Sequence, residues 1–353
     1  MKKMFFALAA LVLAFTGCSQ EDEAIQTNEQ KAVKVVVNMD KPGFGTDARA
    51  PRQGWEDGDE VVVTLDNLLA YYCLKLTYDG TSKKWTTTVM EPNMHTGVFG
   101  EGDISNLANE LFEDETEVSG IARAAYFSSG ISEIVYTNLS SVVSTRASST
   151  LGLVIVTNAS NGCSWKGDTP SMGDRFGECI MTCVEGGNYI LKDNGDSYEL
   201  TLDITMQPMV AQFTIRDLKV EDDWKIWMNA PVSFAAGGYF TEHSFYMNRI
   251  ESQYLGYNHQ NGNDISIYAV PWQSNYDIPS AWLPDGKDYE DLEEIFYTTL
   301  PYNLGIYDND YENEFERNFG IKAVEIGDAV IMDGPYTKKD GVATAGAQAW
   351  VIE

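Results

Sequence analysis

The chain has 353 residues, with 24 Lys+Arg against 53 Asp+Glu and a formal net charge of −29. That balance argues against nucleic acid as a partner, because a phosphate backbone is held by clustered Lys and Arg, and it disfavours a polybasic membrane contact for the same reason. Hydrophobic residues at 44% and aromatics at 12% make the acidity that of a folded body, long enough for about two domains. The three histidines, His95, His243 and His259, are scattered, which argues against catalysis built on several imidazoles.

Lys2 and Lys3 open the chain as a short basic region, and an apolar run from Met4 to Phe15 follows. The run is too short to span a hydrocarbon layer of about 30 Å but suits a secretory signal. Phe15-Thr16-Gly17-Cys18 resembles a bacterial lipobox, with Phe15 in a place that usually holds an aliphatic residue. The resemblance implies cleavage between Gly17 and Cys18, acylation of Cys18 and anchoring in the outer membrane through lipid. Ser19-Gln20-Glu21-Asp22-Glu23 resembles the acidic signal that sends lipoproteins of Bacteroides-type bacteria to the cell surface; a solvated spacer is the alternative. Loss of residues 1–17 removes Lys2 and Lys3 and no acid, so −29 becomes −31.

Beyond an acidic tether over 18–30, the chain reads as β. Lys31 to Met39 is a β-branched run bounded by Pro42 and Gly43. Thr46 to Gly54 is polar and carries Arg49 and Arg52. Trp55-Glu-Asp-Gly58-Asp59 then turns into a strand from Glu60 to Leu65. Ala70 to Tyr78 and Trp85 to Met90 flank Asp79-Gly80, a hairpin signal. Ile104 to Phe112 is a helix candidate capped by Asp103, and Tyr289 to Phe296 is another. Leu151 to Thr157, Asn188 to Leu191 and Tyr198 to Thr205 continue the strand pattern, the last two joined by a turn at Asp193-Asn-Gly195-Asp196. Met206-Gln-Pro208 divides the chain into domains at 31–206 and 207–353. A fresh strand opens at Met209 to Ile215, and Ala323 to Met332 and Ala347 to Ile352 are strand candidates near the end. Short strands punctuated by Gly, Asp and Asn indicate a sandwich or barrel.

The order of these features resembles the fimbrillin family, pilin-like surface lipoproteins of Bacteroides-type bacteria. The matching residues are the lipobox, the strand Lys31 to Met39, the linker Ala48-Arg49-Ala50, and Trp55-Glu-Asp-Gly58-Asp59-Glu-Val-Val-Val63. Met209 to Ile215, Ile326-Gly327-Asp328, Asp333-Gly334 and Asp340-Gly341 complete the set. The resemblance implies an all-β fold of two tandem transthyretin-like Greek-key β-sandwich domains. It also implies assembly by strand exchange, in which a protease cuts after an arginine and the first strand leaves for a neighbour's. Here the released strand is Lys31 to Met39, with Val33, Val35 and Val37 on one face. The scissile residue is Arg49 with Arg52 in reserve, both also readable as plain loop arginines. Partners so implied are other fimbrial subunits, with host or bacterial surface glycan or protein at a tip. The final run, Ala347 to Ile352, is either a donor strand or the last strand of the second domain. The lack of a long extension after it points to a minor, accessory or tip component.

Other chemistry is sparse. Cys73, Cys163, Cys179 and Cys183 permit two disulfides in three connectivities, or four buried thiols. Asp308-Asn-Asp310-Tyr-Glu312-Asn-Glu314-Phe-Glu316 is rich in oxygen ligands, but Asn313 stands where a calcium loop of the EF-hand type has Gly, so a solvated loop is favoured and no metal is expected. No nucleophile elbow, phosphate-cradling loop or dinucleotide fingerprint occurs, so neither an enzyme nor a cofactor is expected. A monomeric glycan-binding lipoprotein is the alternative. Trp224, Trp227, Tyr239, Tyr246, Tyr254, Tyr257, Trp272 and Trp282 concentrate in the second half, with Tyr254, Tyr257 and Trp272 as candidate ligand aromatics.

Overall fold

The computed structural model describes residues 20–21, 31–44, 54–66, 68, 71–112, 115–138, 151–158, 178–216, 225–250, 265–272, 301–307, 314–321, 323–333, 337–338 and 351–352. The fold is all-β. β1 (Gln20–Glu21) and β2 (Ala32–Asp40) come first, then a meander of β3 (Glu60–Leu65), β4 (Cys73–Asp79), β5 (Lys84–Pro92) and β6 (Phe99–Glu101). A short helix, α1 (Ile104–Leu111), leads to β7 (Glu117–Phe127). The Asp103 side chain accepts from the Ser105 N–H, satisfying one of the donors a helix start leaves free. Next are β8 (Ile131–Asn138), β9 (Leu151–Thr157), β10 (Ile180–Cys183), β11 (Asn188–Asp193), β12 (Ser197–Thr205) and β13 (Gln207–Pro208). The remainder is β14 (Ala211–Arg216), β15 (Lys225–Asn229), β16 (Val232–Phe240), β17 (Phe245–Ile250), β18 (Ile265–Pro271), β19 (Pro301–Tyr307), β20 (Glu314–Ile321), β21 (Ala329–Asp333), β22 (Thr337–Lys338) and β23 (Val351–Ile352). Among the described residues no helix is long and apolar enough to cross a membrane.

The first sheet runs β1-β2-β12-β11-β7-β3-β4-β5-β6, with β10 joined to both β7 and β13. Its long strand, β7, serves two layers. Residues Glu117–Ile121 pair with β11, whereas Ala122–Tyr126 pair with β3 and Ala124–Phe127 with β10. The sheet therefore folds over along β7 and buries its inner faces against each other. Val33, Val35 and Val37 of β2 and Leu200 and Leu202 of β12 share one core with Val61, Val63, Leu74, Leu76 and Trp85. β3 is buried along almost its whole length, because its second face is covered too: Phe127 of β7 meets Phe245 of β17 with ring centroids 6.0 Å apart. A strand buried on both faces is continuously apolar rather than alternating, as Val61-Val62-Val63 is.

A second sheet runs β23-β21-β14-β18-β16-β9-β8, with β17 on β16, and a third runs β15-β19-β20-β22. β9 pairs with β16 (Ile155 opposite Gly238), so the second sheet takes strands from both sides of residue 206. The division of the chain at Met206-Gln-Pro208 is a proposal on which this pairing bears. In each half the first long strand lies parallel to a late one, β2 beside β12 and β14 beside β21. Residues 323–328, expected as the start of a strand, form instead the turn that leads into β21. β23 pairs antiparallel with β21, Val330 opposite Ile352. The helix candidate at 289–296 lies outside the described residues.

Candidate functional site

β2 is seated by side chains on both of its faces. Its outward residues meet β12, which lies beside it in parallel register from Ala32 opposite Ser197 to Asp40 opposite Thr205. The Lys34 ammonium reaches Glu199 at 3.6 Å and Asn38 donates to Asp203 at 2.6 Å. Just before the strand, Lys31 donates to Asp193 at 2.6–2.7 Å; this bond holds the Asp193 carboxyl below its usual range. The inward residues Val33, Val35, Val37 and Met39 are all in the core, as alternation on a half-buried strand requires. On its other edge, β2 pairs within the described residues with Gln20–Glu21 alone.

The alternation does not stop where the apolar run does. Lys41 is the next inward position, and it is 7% exposed. Its ammonium donates to Asp59 Oδ2 at 2.8 Å and to the Tyr126 hydroxyl at 2.9 Å, while that hydroxyl donates to Asp59 Oδ1 at 2.9 Å. The Tyr126 and Trp55 rings lie 4.4 and 5.2 Å from the ammonium, within range of a cation–π attraction. Burial, and then the charge of Asp59, raise the Tyr126 hydroxyl far above the usual phenol range, so it remains a donor. Trp55 stands edge-on to Trp85 and Tyr126 and donates its indole N–H to the Met39 carbonyl at 3.0 Å.

A turn holds Asp59 in place. The Asp59 N–H donates to the Glu56 carbonyl at 3.0 Å, and Glu56 N–H donates back to Asp59 Oδ2 at 2.8 Å. Gly58 has φ +83°, which a residue with a Cβ adopts only at a cost. Gly58 N–H and Asp59 carbonyl clasp Tyr78 at the end of β4. The Gly-Asp signal in the sequence is thus a scaffold, and its carboxylate is also the counter-ion of a buried lysine. Sequence reasoning missed Lys41 itself. The clue was its parity with Val33, Val35, Val37 and Met39.

Val33, Val35 and Val37 are brought together with this socket. Gly17, Cys18, Arg49, Arg52, Tyr254 and Tyr257 lie outside the described residues, as do Cys163 and most of the acidic run from Asp308. Trp272 is wholly buried, with its indole donating to Ser233 at 3.2 Å, and offers no free ring face to a ligand. Tyr246 is 49% exposed and stacks on Tyr239, ring centroids 5.2 Å apart. Cys73, Cys179 and Cys183 are buried free thiols, and burial pushes Cys179 up to about 12, so these sulfurs stay protonated and unreactive.

A fully buried carboxylate, Glu178, has no cation among the described residues. Glu178 accepts from the Ser129 and Thr157 hydroxyls and from the Gly237 N–H, in the bulge where β16 shifts register between Ala235 and Gly238. Burial raises its pKa against the pull of those donors.

No protein-family model and no curated protein matches the sequence. Among solved structures, a candidate cell adhesion protein from Bacteroides ovatus aligns over 92% of this chain and 100% of its own, at 11% identity and a TM-score of 0.40. Another from Bacteroides eggerthii aligns over 90% and 93%, at 12% identity and a TM-score of 0.29. Likeness this loose says nothing of what individual residues do.

Proposed function

We propose that the chain is a surface lipoprotein, anchored through Cys18, that serves as a fimbrial subunit or fimbria-associated adhesin and assembles by strand exchange. A cut after Arg49, or after Arg52, frees β2 from the rest of the chain, and an extended strand from a neighbouring subunit takes its place. The observation that carries this reading is the seat of β2: its inward side chains fill the core, while its chain continues directly into the arginine-bearing stretch. Departure of such a strand opens an apolar groove bordered by the unpaired edge of β12, which a β-branched segment refills by restoring ladder hydrogen bonds and alternate side-chain contacts. A second reading, a monomeric glycan-binding lipoprotein, draws on the exposed Tyr246 face, which is suited to stacking on a sugar ring.

Digestion with a trypsin-like protease, followed by N-terminal sequencing and size-exclusion chromatography, separates the two. A new N-terminus at Ala50 or Gln53 together with higher oligomers supports the fimbrial reading. A chain that resists the cut, stays monomeric and is retained on a polysaccharide column overturns it.

A further inference from the structure

We infer that the socket formed by Asp59, Tyr126 and Trp55 is the specificity-determining end of the β2 groove. It selects an extended strand that carries a lysine two residues beyond the last of four alternating apolar side chains, and it fixes that strand's register. The inference deepens the exchange reading by naming the chemistry of the incoming segment, and it rests on that reading for this partner alone.

Five inward positions follow one another at spacing two: Val33, Val35, Val37, Met39 and Lys41, all buried. The first four seats are apolar and tolerant of one another's side chains. A donor that slid by two residues would still place an apolar group in most of them, and a slide by one would turn the apolar set outward and the polar set inward. Only the fifth seat distinguishes the two-residue slide, because it would then set an apolar group against the Asp59 carboxylate. A buried carboxylate deprived of its cation is strongly unfavourable, whereas an apolar mismatch among aliphatic seats is mild. A single buried polar position that sets register at the expense of stability is a known device in paired helices, and the same physics holds at the end of a strand. The Trp55 indole bonds to a backbone carbonyl and so accepts any sequence, which leaves discrimination to Asp59.

Charge elsewhere along the strand agrees. Lys31, Lys34 and Lys41 meet Asp193, Glu199 and Asp59 in turn, so a basic strand lies on an acidic body. In all 353 residues, no other Lys or Arg follows four apolar residues at alternate positions. The run Ala347–Glu353 contains no cation, and it leaves the Asp59 socket unfilled. The occupant that satisfies the groove is therefore an extended strand with the stated pattern, which residues 33–41 of a second copy of this chain carry.

The test uses the full chain, cut with a trypsin-like protease and then offered fluorescent peptides of residues 31–44 carrying the native sequence, Lys41→Met or Lys34→Met. Both variants lose one charge, but only the first faces inward. The native peptide is expected to enter the cut chain, with K34M within about threefold of it and K41M weaker by about a hundredfold. Equal binding of native and K41M peptides overturns the inference. If even the native peptide fails to enter, the exchange reading falls, and the uncut chain decides the socket. There K41M is expected to lower the denaturation midpoint well below that of K34M, and equal midpoints overturn the inference.

Discussion

Two turns of the same design open strands in the two halves of the molecule, and they are put to different use. Glu56-Asp57-Gly58-Asp59 leads into β3 and Glu325-Ile326-Gly327-Asp328 leads into β21. In both, the aspartate N–H bonds to the glutamate carbonyl, the glutamate N–H bonds to aspartate Oδ2 at 2.8 Å, and the glycine holds a positive φ, +83° in one and +92° in the other. The second turn clasps the start of β14 by backbone alone, Gly327 N–H to the Val210 carbonyl and Gln212 N–H to the Asp328 carbonyl. Among the described residues the Asp328 carboxylate has no further partner, whereas Asp59 also takes Lys41 and Tyr126. One turn is a strand starter; the other has added a latch on the N-terminal strand.

Given that contrast, Asp59→Asn is the costliest of the paired changes. It leaves Lys41 buried without its counter-ion and should lower stability by about 3–5 kcal/mol, whereas Asp328→Asn should cost about 1 kcal/mol. Denaturant midpoints of the two variants check this, and equal losses would reduce Asp59 to a scaffold. Glu178 sharpens the point, as a buried carboxylate whose described donors are all neutral. Glu178→Ala strands two hydroxyls and the Gly237 N–H and should cost about 2–3 kcal/mol. Because burial raises the folded pKa of Glu178, its contribution is fully present below the unfolded value and is lost as pH rises through the folded one. Wild type should therefore gain on Glu178→Gln as the solution is acidified, and parallel stability–pH curves would contradict this. Gly58→Ala and Gly327→Ala should each cost about 1 kcal/mol, alike because the backbone is alike. Lys34→Ala, at a half-exposed pair, should change the midpoint least, by under about 1 kcal/mol.

The parts of the fold that follow from local rules were legible. β9 spans the expected Leu151 to Thr157, Asp103 caps α1 as its side chain suggests, and the Asp79-Gly80 turn joins β4 to β5. β7 was not legible, although it is the strand that links the two layers. Its Gly120 and Ala122-Arg123-Ala124-Ala125 have poor β propensity. Gly120 has no side chain because Asp66 folds over it, donating its own N–H to the Ile121 carbonyl, accepting the Ile121 N–H and holding the Tyr189 hydroxyl. That is a tertiary demand, which no local pattern records. The candidate site divides in the same way. Val33, Val35 and Val37 are plain from alternation, but Lys41 follows the end of the apolar run and a lysine reads as solvated by default. Only the fold brings Asp59 and Tyr126 to it.

The central claim is that β2 leaves its seat beside β12 when the protein assembles. Lys34 and Glu199 lie directly opposite each other on the two strands, so a K34C/E199C chain can be locked by oxidation and released by reduction. After protease treatment, the reduced protein should form oligomers and the oxidised protein should stay monomeric. Equal assembly of the oxidised and reduced forms would contradict the account.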